Sequence, residues 1–135
     1  MKLNTPMKKY KLLIAEDNTL LLQTIGLYLE AQGYELCLVT DGKDAISRIK
    51  ENKYDLIVTD INIPFNNGLE LISYVRNDMK LTVPILVLTT MGSENIELEA
   101  FHIGANDFIT KPFSPKVLNA RIEKILNQFS QSNLQ

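Results

Sequence analysis

Short apolar runs alternate along the chain with longer segments in which apolar residues recur every three or four positions. The runs predict five β-strands, over residues 12–15, 35–40, 55–60, 84–89 and 108–110. The longer segments predict five helices, over residues 19–32, 43–52, 69–79, 94–103 and 115–128. Asn18 is suited to cap the first helix and Gly33 to end it. The expected apolar face of that helix consists of Leu20, Leu21, Thr24, Ile25, Leu27, Tyr28 and Ala31.

This alternation determines the predicted fold class. Strands that are connected through helices run parallel, and strands that are almost continuously apolar are buried on both faces. The sequence therefore predicts a single α/β domain. It would be a doubly wound (βα)5 arrangement, with a five-stranded parallel sheet and helices on both faces.

Length, charge and composition limit the number of domains, the kinds of partner and the cellular location that we expect. The 135 residues suit one domain over 11–128, with an N-terminal extension over 1–10 and a polar C-terminal tail over 129–135 that is suited to begin a linker. The net charge is −2 and the basic residues are scattered, which predicts no direct binding of nucleic acid. No apolar run approaches the ~20 residues of a membrane span. The N-terminus also lacks the apolar segment of a secretion signal, so we expect a cytoplasmic protein with no membrane contact.

Polar residues collect where the predicted strands end. Glu16 and Asp17 follow the first strand, Asp60 ends the third, Thr89 ends the fourth, and Lys111 follows the fifth. In an open α/β sheet, ligands bind beyond the carboxyl ends of the strands, where the strand order reverses. If strands one, three, four and five lie side by side, these side chains converge. Because an unpaired buried carboxylate is very costly, the acidic residues must meet water, a cation or both.

Such a cluster would be suited to phosphoryl transfer. Three close carboxylates stay ionised only when a cation neutralises them, and oxygen ligands suit Mg²⁺, which takes one or two carboxylates and keeps several waters. A further carboxylate can attack phosphorus and form an acyl phosphate. Lys111 is available to neutralise the charge that develops, and the hydroxyl of Thr89 is available to bond a phosphoryl oxygen.

Four motifs occur in order along the chain, namely LLIAEDN, DINIPFNNG, PILVLTT and GANDFITKPF. Together, over about residues 11–128, they resemble the receiver domain of bacterial two-component response regulators. In the second motif, Asp60, Pro64 and Gly68 match the family pattern D-x-x-[MIL]-P-x-x-[DN]-G. The resemblance implies a flavodoxin-like fold with the strand order 2-1-3-4-5.

The resemblance also implies a role for each site residue. Asp60 would be the phosphoacceptor, and Lys111 would pair with the phosphoryl group. Thr89 and Phe108 would be the switch residues. The ligands of Mg²⁺, for which Mn²⁺ can substitute, would be the side chains of Glu16, Asp17 and Asp60 and the backbone carbonyl of Asn62. The peptide bond between Lys111 and Pro112 is expected to be cis.

The implied function is a signalling switch in a His–Asp phosphorelay. A sensor histidine kinase or a phosphotransfer protein would donate the phosphoryl group to Asp60. The face made by the fourth helix, fifth strand and fifth helix would then change its partner binding. The chain would be a signalling domain rather than an enzyme, catalysing only its own phosphoryl uptake and autodephosphorylation. A homodimer through this face is a further expectation, with Asp107 and Arg121 suited to form an ion pair.

Other interpretations of the same residues are less consistent with the sequence. Pro64 and Leu71 stand where a calcium loop needs ligands, and the acidic pair at 16 and 17 would repel the phosphate of a flavin or nucleotide. Asn62 replaces the second aspartate of a dehalogenase-type phosphatase. Two alternatives stay open: a receiver-like docking module that acts independently of phosphorylation, and a receiver cut from a DNA-binding transcriptional regulator, which the segment TKPFSPKVLNARIEKIL resembles.

Overall fold

The computed structural model describes residues 8–133, and within them five strands alternate with five helices, as predicted. The strands are β1 (Lys11–Ala15), β2 (Glu35–Val39), β3 (Leu56–Asp60), β4 (Ile85–Thr89) and β5 (Asp107–Thr110). The helices are α1 (Thr19–Ala31), α2 (Gly42–Glu51), α3 (Gly68–Ser73), α4 (Glu94–Ile103) and α5 (Pro115–Asn133). Helix α3 continues as a π-helical segment over Tyr74–Asp78.

The five strands form one parallel sheet in the order β2-β1-β3-β4-β5, which confirms the predicted fold class and strand order. The chain leaves β1 toward β2 on one side and returns to β3 on the other. The strand order therefore reverses between β1 and β3. The loops after these two strands separate there and open a crevice at the carboxyl edge of the sheet.

Apolar side chains cover both faces of the sheet. One face packs against α1 and α5, and its buried residues include Leu12, Ile14, Leu86, Ile25, Leu118 and Ile122. The other face packs against α2, α3 and α4, and its buried residues include Leu13, Ile57, Val87, Ala45, Leu71 and Ala100. Successive residues of β1 and β4 enter opposite layers because strand side chains alternate in direction. None of the helices within residues 8–133 combines the length and the apolar composition needed to cross a membrane.

Short polar side chains set where three helices begin. Asn18, Asp41 and Asn67 each accept a hydrogen bond from a backbone amide in the first turn of α1, α2 and α3, respectively. The backbone amide of Asn67 in turn donates a hydrogen bond to the carboxylate of Glu70, which completes a capping box. These caps fix the points at which the loops from β1, β2 and β3 turn away from the carboxyl edge.

The buried face of α1 differs from the predicted one. Leu22, Ile25, Gly26 and Leu29 are buried, whereas Leu20 and Leu27 are each 73% exposed. The helix is apolar almost all round, so its composition does not identify which side meets the sheet. The buried residues follow a spacing of three and four positions, and packing against the sheet and α5 selects that phase.

Helix α5 is longer than the predicted segment 115–128, because it continues to Asn133. Phe129 packs against the core, and the hydroxyls of Tyr10 and Ser130 lie 3.1 Å apart. Residues 130–133 are all polar, which is why the sequence predicted an earlier end. The predicted extension (1–10) and tail (129–135) lie partly outside the described residues, and the domain boundaries stay a prediction.

Arg76 ties the π-helical segment to the loop between α4 and β5. Its guanidinium donates to the carbonyl of Gly104 at 3.1 and 2.9 Å, to the carbonyl of Leu81 at 2.9 Å and to Oδ1 of Asn106 at 3.0 Å. The same Asn106 oxygen accepts the amide of Ile85, at the start of β4. Burial lowers the pKa of Arg76 below its ordinary value. The carboxyl end of α4 is thereby anchored to the body of the domain.

Candidate functional site

The strand order brings the predicted polar residues to one place. Glu16 follows β1, Asp60 ends β3, Thr89 ends β4 and Lys111 follows β5, and these four strands are consecutive neighbours in the sheet. Parallel strands present their carboxyl ends at the same edge, so each loop delivers its side chain there. The peptide bond between Lys111 and Pro112 is cis, as the resemblance implied.

Three carboxylates form the centre of the site. Glu16, Asp17 and Asp60 each present an oxygen, and these oxygens all lie within 4.8 Å of one another. Glu16 has no exposed surface and Asp60 is 5% exposed, whereas Asp17 faces solvent. Two of the negative charges are therefore held away from water, and the third lies at the mouth of the site.

Lys111 joins the two buried carboxylates. Its Nζ lies 2.6 Å from Oε1 of Glu16 and 2.6 Å from Oδ2 of Asp60. Burial raises the pKa of Glu16, and the negative charge of Asp60 adds to this effect, while Lys111 and the amide of Asn18 oppose it. For Lys111, burial acts to lower the pKa, but the contacts with Asp60 and Glu16 outweigh it and the pKa is raised. The ammonium is thus held in its charged form.

Backbone amides orient the same two carboxylates. The amide of Asn18 donates to Oε2 of Glu16 at 3.0 Å, and the amide of Asn62 donates to Oδ1 of Asp60 at 3.0 Å. Each carboxylate therefore has one oxygen on a backbone amide and the other on Lys111. This arrangement explains how a buried acid can follow β1 directly, because one oxygen of Glu16 contacts a backbone amide and the other contacts an ammonium.

The donor set fits a hard divalent cation. Three carboxylates and one ammonium leave two negative charges uncompensated within the cluster, and every ligand atom is oxygen. Oε1 of Glu16 is buried and contacts Lys111, and because a carboxylate oxygen has two lone pairs it retains capacity for a metal contact. The backbone carbonyl of Asn62, whose amide already contacts Asp60, stays a predicted fourth ligand.

Thr89 lies at the site, but its hydroxyl points toward α4. Thr89 is 2% exposed, and its Oγ1 donates a hydrogen bond to Oε2 of Glu97 at 3.2 Å. A small cavity of about 20 Å³ separates the end of β4 from the loop that follows Asp60. It is lined by Asp60, Asn62, Thr89, Thr90, Ser93 and Ile96, among others. Sequence reasoning missed Glu97 and Ile96, because no motif marks them and only their position on the first turns of α4 could have suggested them.

Phe108 lies on β5 beneath the same helix. Its ring packs edge to face against Phe101, with centroids 4.3 Å apart and planes at 80°. The backbone carbonyl of Phe108 accepts a hydrogen bond from Arg121 at 2.7 Å, and Arg121 also lies 3.7 Å from Asp107. The pair Asp107–Arg121, expected between subunits, is therefore formed within one chain.

Comparison with known proteins agrees with this geometry. The sequence profile described as the response regulator receiver domain matches residues 12–123. The chain is 40% identical over 121 residues to transcriptional regulatory protein RprY of Bacteroides fragilis, covering 90% of the chain and 51% of that protein. It is 36% identical over 118 residues to the alkaline phosphatase synthesis transcriptional regulatory protein PhoP of Bacillus subtilis, covering 87% and 49%. The chain thus spans about half the length of these relatives.

The fold also matches solved structures. The receiver domain of response regulator 1452 of Francisella is 30% identical, with a TM-score of 0.83 over 90% of this chain and 99% of that one. The sequence comparison and the structure comparison therefore both match this chain to receiver domains.

Proposed function

The chain belongs to the response regulator receiver domain family, and from this premise we propose that it is a phosphorylation-driven switch whose acceptor is Asp60. The observation that carries the proposal is the contact of Asp60 with Lys111 at 2.6 Å inside a cluster of three carboxylates. An aspartate with only a structural role would be neutralised by a single counter-ion. In this cluster Lys111 leaves an excess of negative charge, which a metal ion could neutralise.

The proposed reaction is transfer of a phosphoryl group from a phosphohistidine. An oxygen of the Asp60 carboxylate attacks phosphorus, the P–O bond forms, and the P–N bond breaks as the imidazole leaves with the electron pair. The product is an acyl phosphate on Asp60. The amide of Asn62 holds Oδ1 and so fixes the plane of the Asp60 carboxylate. Because the carboxylate is already oriented, less entropy is lost when it reaches the reactive geometry.

The metal ligands would be the side chains of Glu16, Asp17 and Asp60 and the backbone carbonyl of Asn62. Bound Mg²⁺, or Mn²⁺ in its place, would supply positive charge to the phosphoryl oxygens. Lys111 would exchange its contact with Asp60 for one with a phosphoryl oxygen, while it keeps its contact with Glu16. This exchange needs little movement, because the ammonium already lies 2.6 Å from the acceptor carboxylate.

The proposed output follows from Thr89 and Phe108. Thr89 would donate its hydroxyl to a phosphoryl oxygen, and Phe108 would adjust with it, so that the face of α4, β5 and α5 changes its affinity for partners. The partners would be a sensor histidine kinase or a phosphotransfer protein, and a second copy of this chain through that face. The chain would act in the cytoplasm as a signalling domain, catalysing its own phosphoryl uptake and autodephosphorylation, without contacting nucleic acid or a membrane.

The relatives suggest what this switch would control. RprY and PhoP are named transcriptional regulatory proteins, and each is about twice the length matched here. We therefore infer that a transcriptional output is the function served by this domain when it is joined to a DNA-binding partner domain.

The test is incubation with Mg²⁺ and acetyl phosphate, followed by measurement of the intact mass. The wild-type chain is expected to gain one phosphoryl group, and the gain is expected to disappear in Asp60→Asn and without Mg²⁺. Asp78→Asn is the matched control, because it removes an exposed carboxylate outside the cluster. A wild-type mass that stays unchanged, or an equal gain in Asp60→Asn, would contradict the proposal.

A further inference from the structure

The hydroxyl of Thr89 already has a partner in this structure. Its Oγ1 donates to Oε2 of Glu97, one of the residues on the first turns of α4, at 3.2 Å. A threonine hydroxyl carries a single hydrogen, so it can donate to one acceptor at a time. If Thr89 is to donate to a phosphoryl group on Asp60, it must first give up Glu97.

We propose that Glu97 is a positioning residue that holds Thr89 away from the acceptor and thereby opposes the phosphorylated conformation. The inference rests on the proposed function, in which Thr89 turns toward Asp60. It adds a chemical competition between two anionic acceptors, the Glu97 carboxylate and the phosphoryl group, for the same hydroxyl hydrogen. Glu97 is partly buried, so water does not fully replace the bond.

Charge gives the competition a direction. A phosphoryl group carries about −1.5 to −2 charges at pH 7. Ser93 and Ile96, which precede Glu97 on this helix, line the small cavity that also contains Asp60 and Thr89. A phosphoryl group there would repel the Glu97 carboxylate at the moment when the carboxylate loses its donor. Both effects displace the first turn of α4 in the same direction, away from the acceptor.

The remaining contacts of α4 indicate which part of the helix moves. Phe101, one turn after Glu97, packs on Phe108, and the carbonyl of Gly104 at the end of the helix is held by Arg76. The carboxyl end is therefore anchored. At the other end, Glu97 joins the amino-terminal half of α4 to Thr89 of β4, and the hydroxyl of Ser93, just before the helix, donates to the carbonyl of Thr90. Release of Glu97 would consequently tilt the first turn and leave the last turn in place.

The experiment uses beryllofluoride with Mg²⁺ as the probe, because it forms a phosphoryl-like adduct on a carboxylate. Binding is followed by NMR through the amide resonances of Thr89 and residue 97. Glu97→Ala is expected to tighten the apparent affinity by about threefold to tenfold, the range that corresponds to loss of one hydrogen bond. Glu97→Gln keeps an acceptor oxygen but no charge, so its affinity should lie between those of wild type and Glu97→Ala. Glu99→Ala, which removes an exposed charge from the same helix, should equal wild type.

A double-mutant cycle separates the hydroxyl from a general effect of charge. In a Thr89→Val background no hydroxyl hydrogen is present, so Glu97→Ala should keep only the smaller part of the tightening that comes from removing its negative charge. An equal tightening in both backgrounds, or wild-type affinity in Glu97→Ala, would overturn the inference and leave the proposed function standing. If the wild-type chain binds no beryllofluoride, the proposed function fails and the inference fails with it.

Discussion

Replacement of Lys111 by methionine tests whether the ammonium neutralises the acidic cluster. Methionine keeps the length and apolar character of the lysine stem and removes only the charge and its donors. In the wild type, Nζ lies 2.6 Å from both Glu16 and Asp60, whose side chains are 0% and 7% exposed. The variant leaves these carboxylates without a cation, and removing one partner of a buried ion pair costs about 3–5 kcal/mol.

Protonation of Glu16 sets an upper limit on that cost. The ordinary pKa of glutamate is 4.5, so keeping a proton on Glu16 at pH 7 costs about 3.4 kcal/mol, and at pH 5.5 about 1.4 kcal/mol. A carboxyl whose folded pKa is raised binds protons more readily when folded, so stability falls as the pH rises through the interval above 4.5. The loss in Lys111→Met should therefore be about 3 kcal/mol at pH 7 and less than half of that at pH 5.5.

Urea denaturation measures this directly, at both pH values and with or without Mg²⁺. Mg²⁺ at 100 times its dissociation constant adds about 2.7 kcal/mol of stability, and it should restore most of the loss in the variant. Lys8→Met is the control, because Lys8 forms an exposed pair with Asp55 at 3.2 Å whose removal should cost at most about 1 kcal/mol. Equal stability of Lys111→Met and wild type at pH 7 without Mg²⁺ would refute the reasoning.

Two further predictions concern the frame that supports the site. Burial, with the nearby charge of Glu123 and the neighbouring Tyr10, raises the pKa of Tyr34 to about 12, and burial also raises the pKa of Tyr54. Tyr34→Phe should therefore remove one of the late steps of the alkaline absorbance titration. Because Tyr34 ionises near 10.0 in the unfolded chain, the stability of the wild type should fall between pH 10 and 12, and the stability of Tyr34→Phe should fall less. If Tyr34→Phe instead removed a titration step near pH 10, the raised pKa of Tyr34 would be contradicted. A β-carbon at Gly42 would lie 1.7 Å from the carbonyl oxygen of Asn66, so Gly42→Ala should cost about 3 kcal/mol or more in urea denaturation. At Gly33 (φ +100°) nothing lies within 4 Å, so Gly33→Ala should cost only about 1–2 kcal/mol, and equal losses would show that contact with the loop is unimportant.

The sequence was sufficient for the sheet and for the cluster because both depend on strand ends. Strands such as β3 and β4 are buried at every position, and a polar residue that ends such a run marks the carboxyl edge. Asp60 and Thr89 could be placed in this way. Predicting that Glu16 and Lys111 converge also requires the strand order. Hydrophobic periodicity does not give that order, and it came from the family resemblance.

The sequence was not sufficient where a helix offers more than one apolar side. On α1, Leu20 and Leu27 look as suitable for burial as Leu22 and Leu29, and packing against the sheet decides between them. The partner of Thr89 was also inaccessible, because the hydrogen bond to Glu97 joins a strand end to a helix across a loop. A carboxylate on a helix surface has no pattern that distinguishes a solvated residue from one that turns inward.

The charge of the site indicates how its conformation would respond to the phosphorylation that we propose. Three carboxylates and Lys111 sum to −2, and Lys111 offsets part of the repulsion by bridging Glu16 and Asp60. In the proposed function, conversion of Asp60 to an acyl phosphate would replace one carboxylate charge with about two charges on oxygens that lie farther from the backbone. The strongest acceptors would then lie beyond the carboxylate, and Lys111 and Thr89 would both reorient toward them. For Lys111 this would exchange one ion pair for another, but for Thr89 it would break the contact with Glu97. We therefore expect the free energy of phosphorylation to be coupled to α4 through the hydroxyl rather than through the lysine.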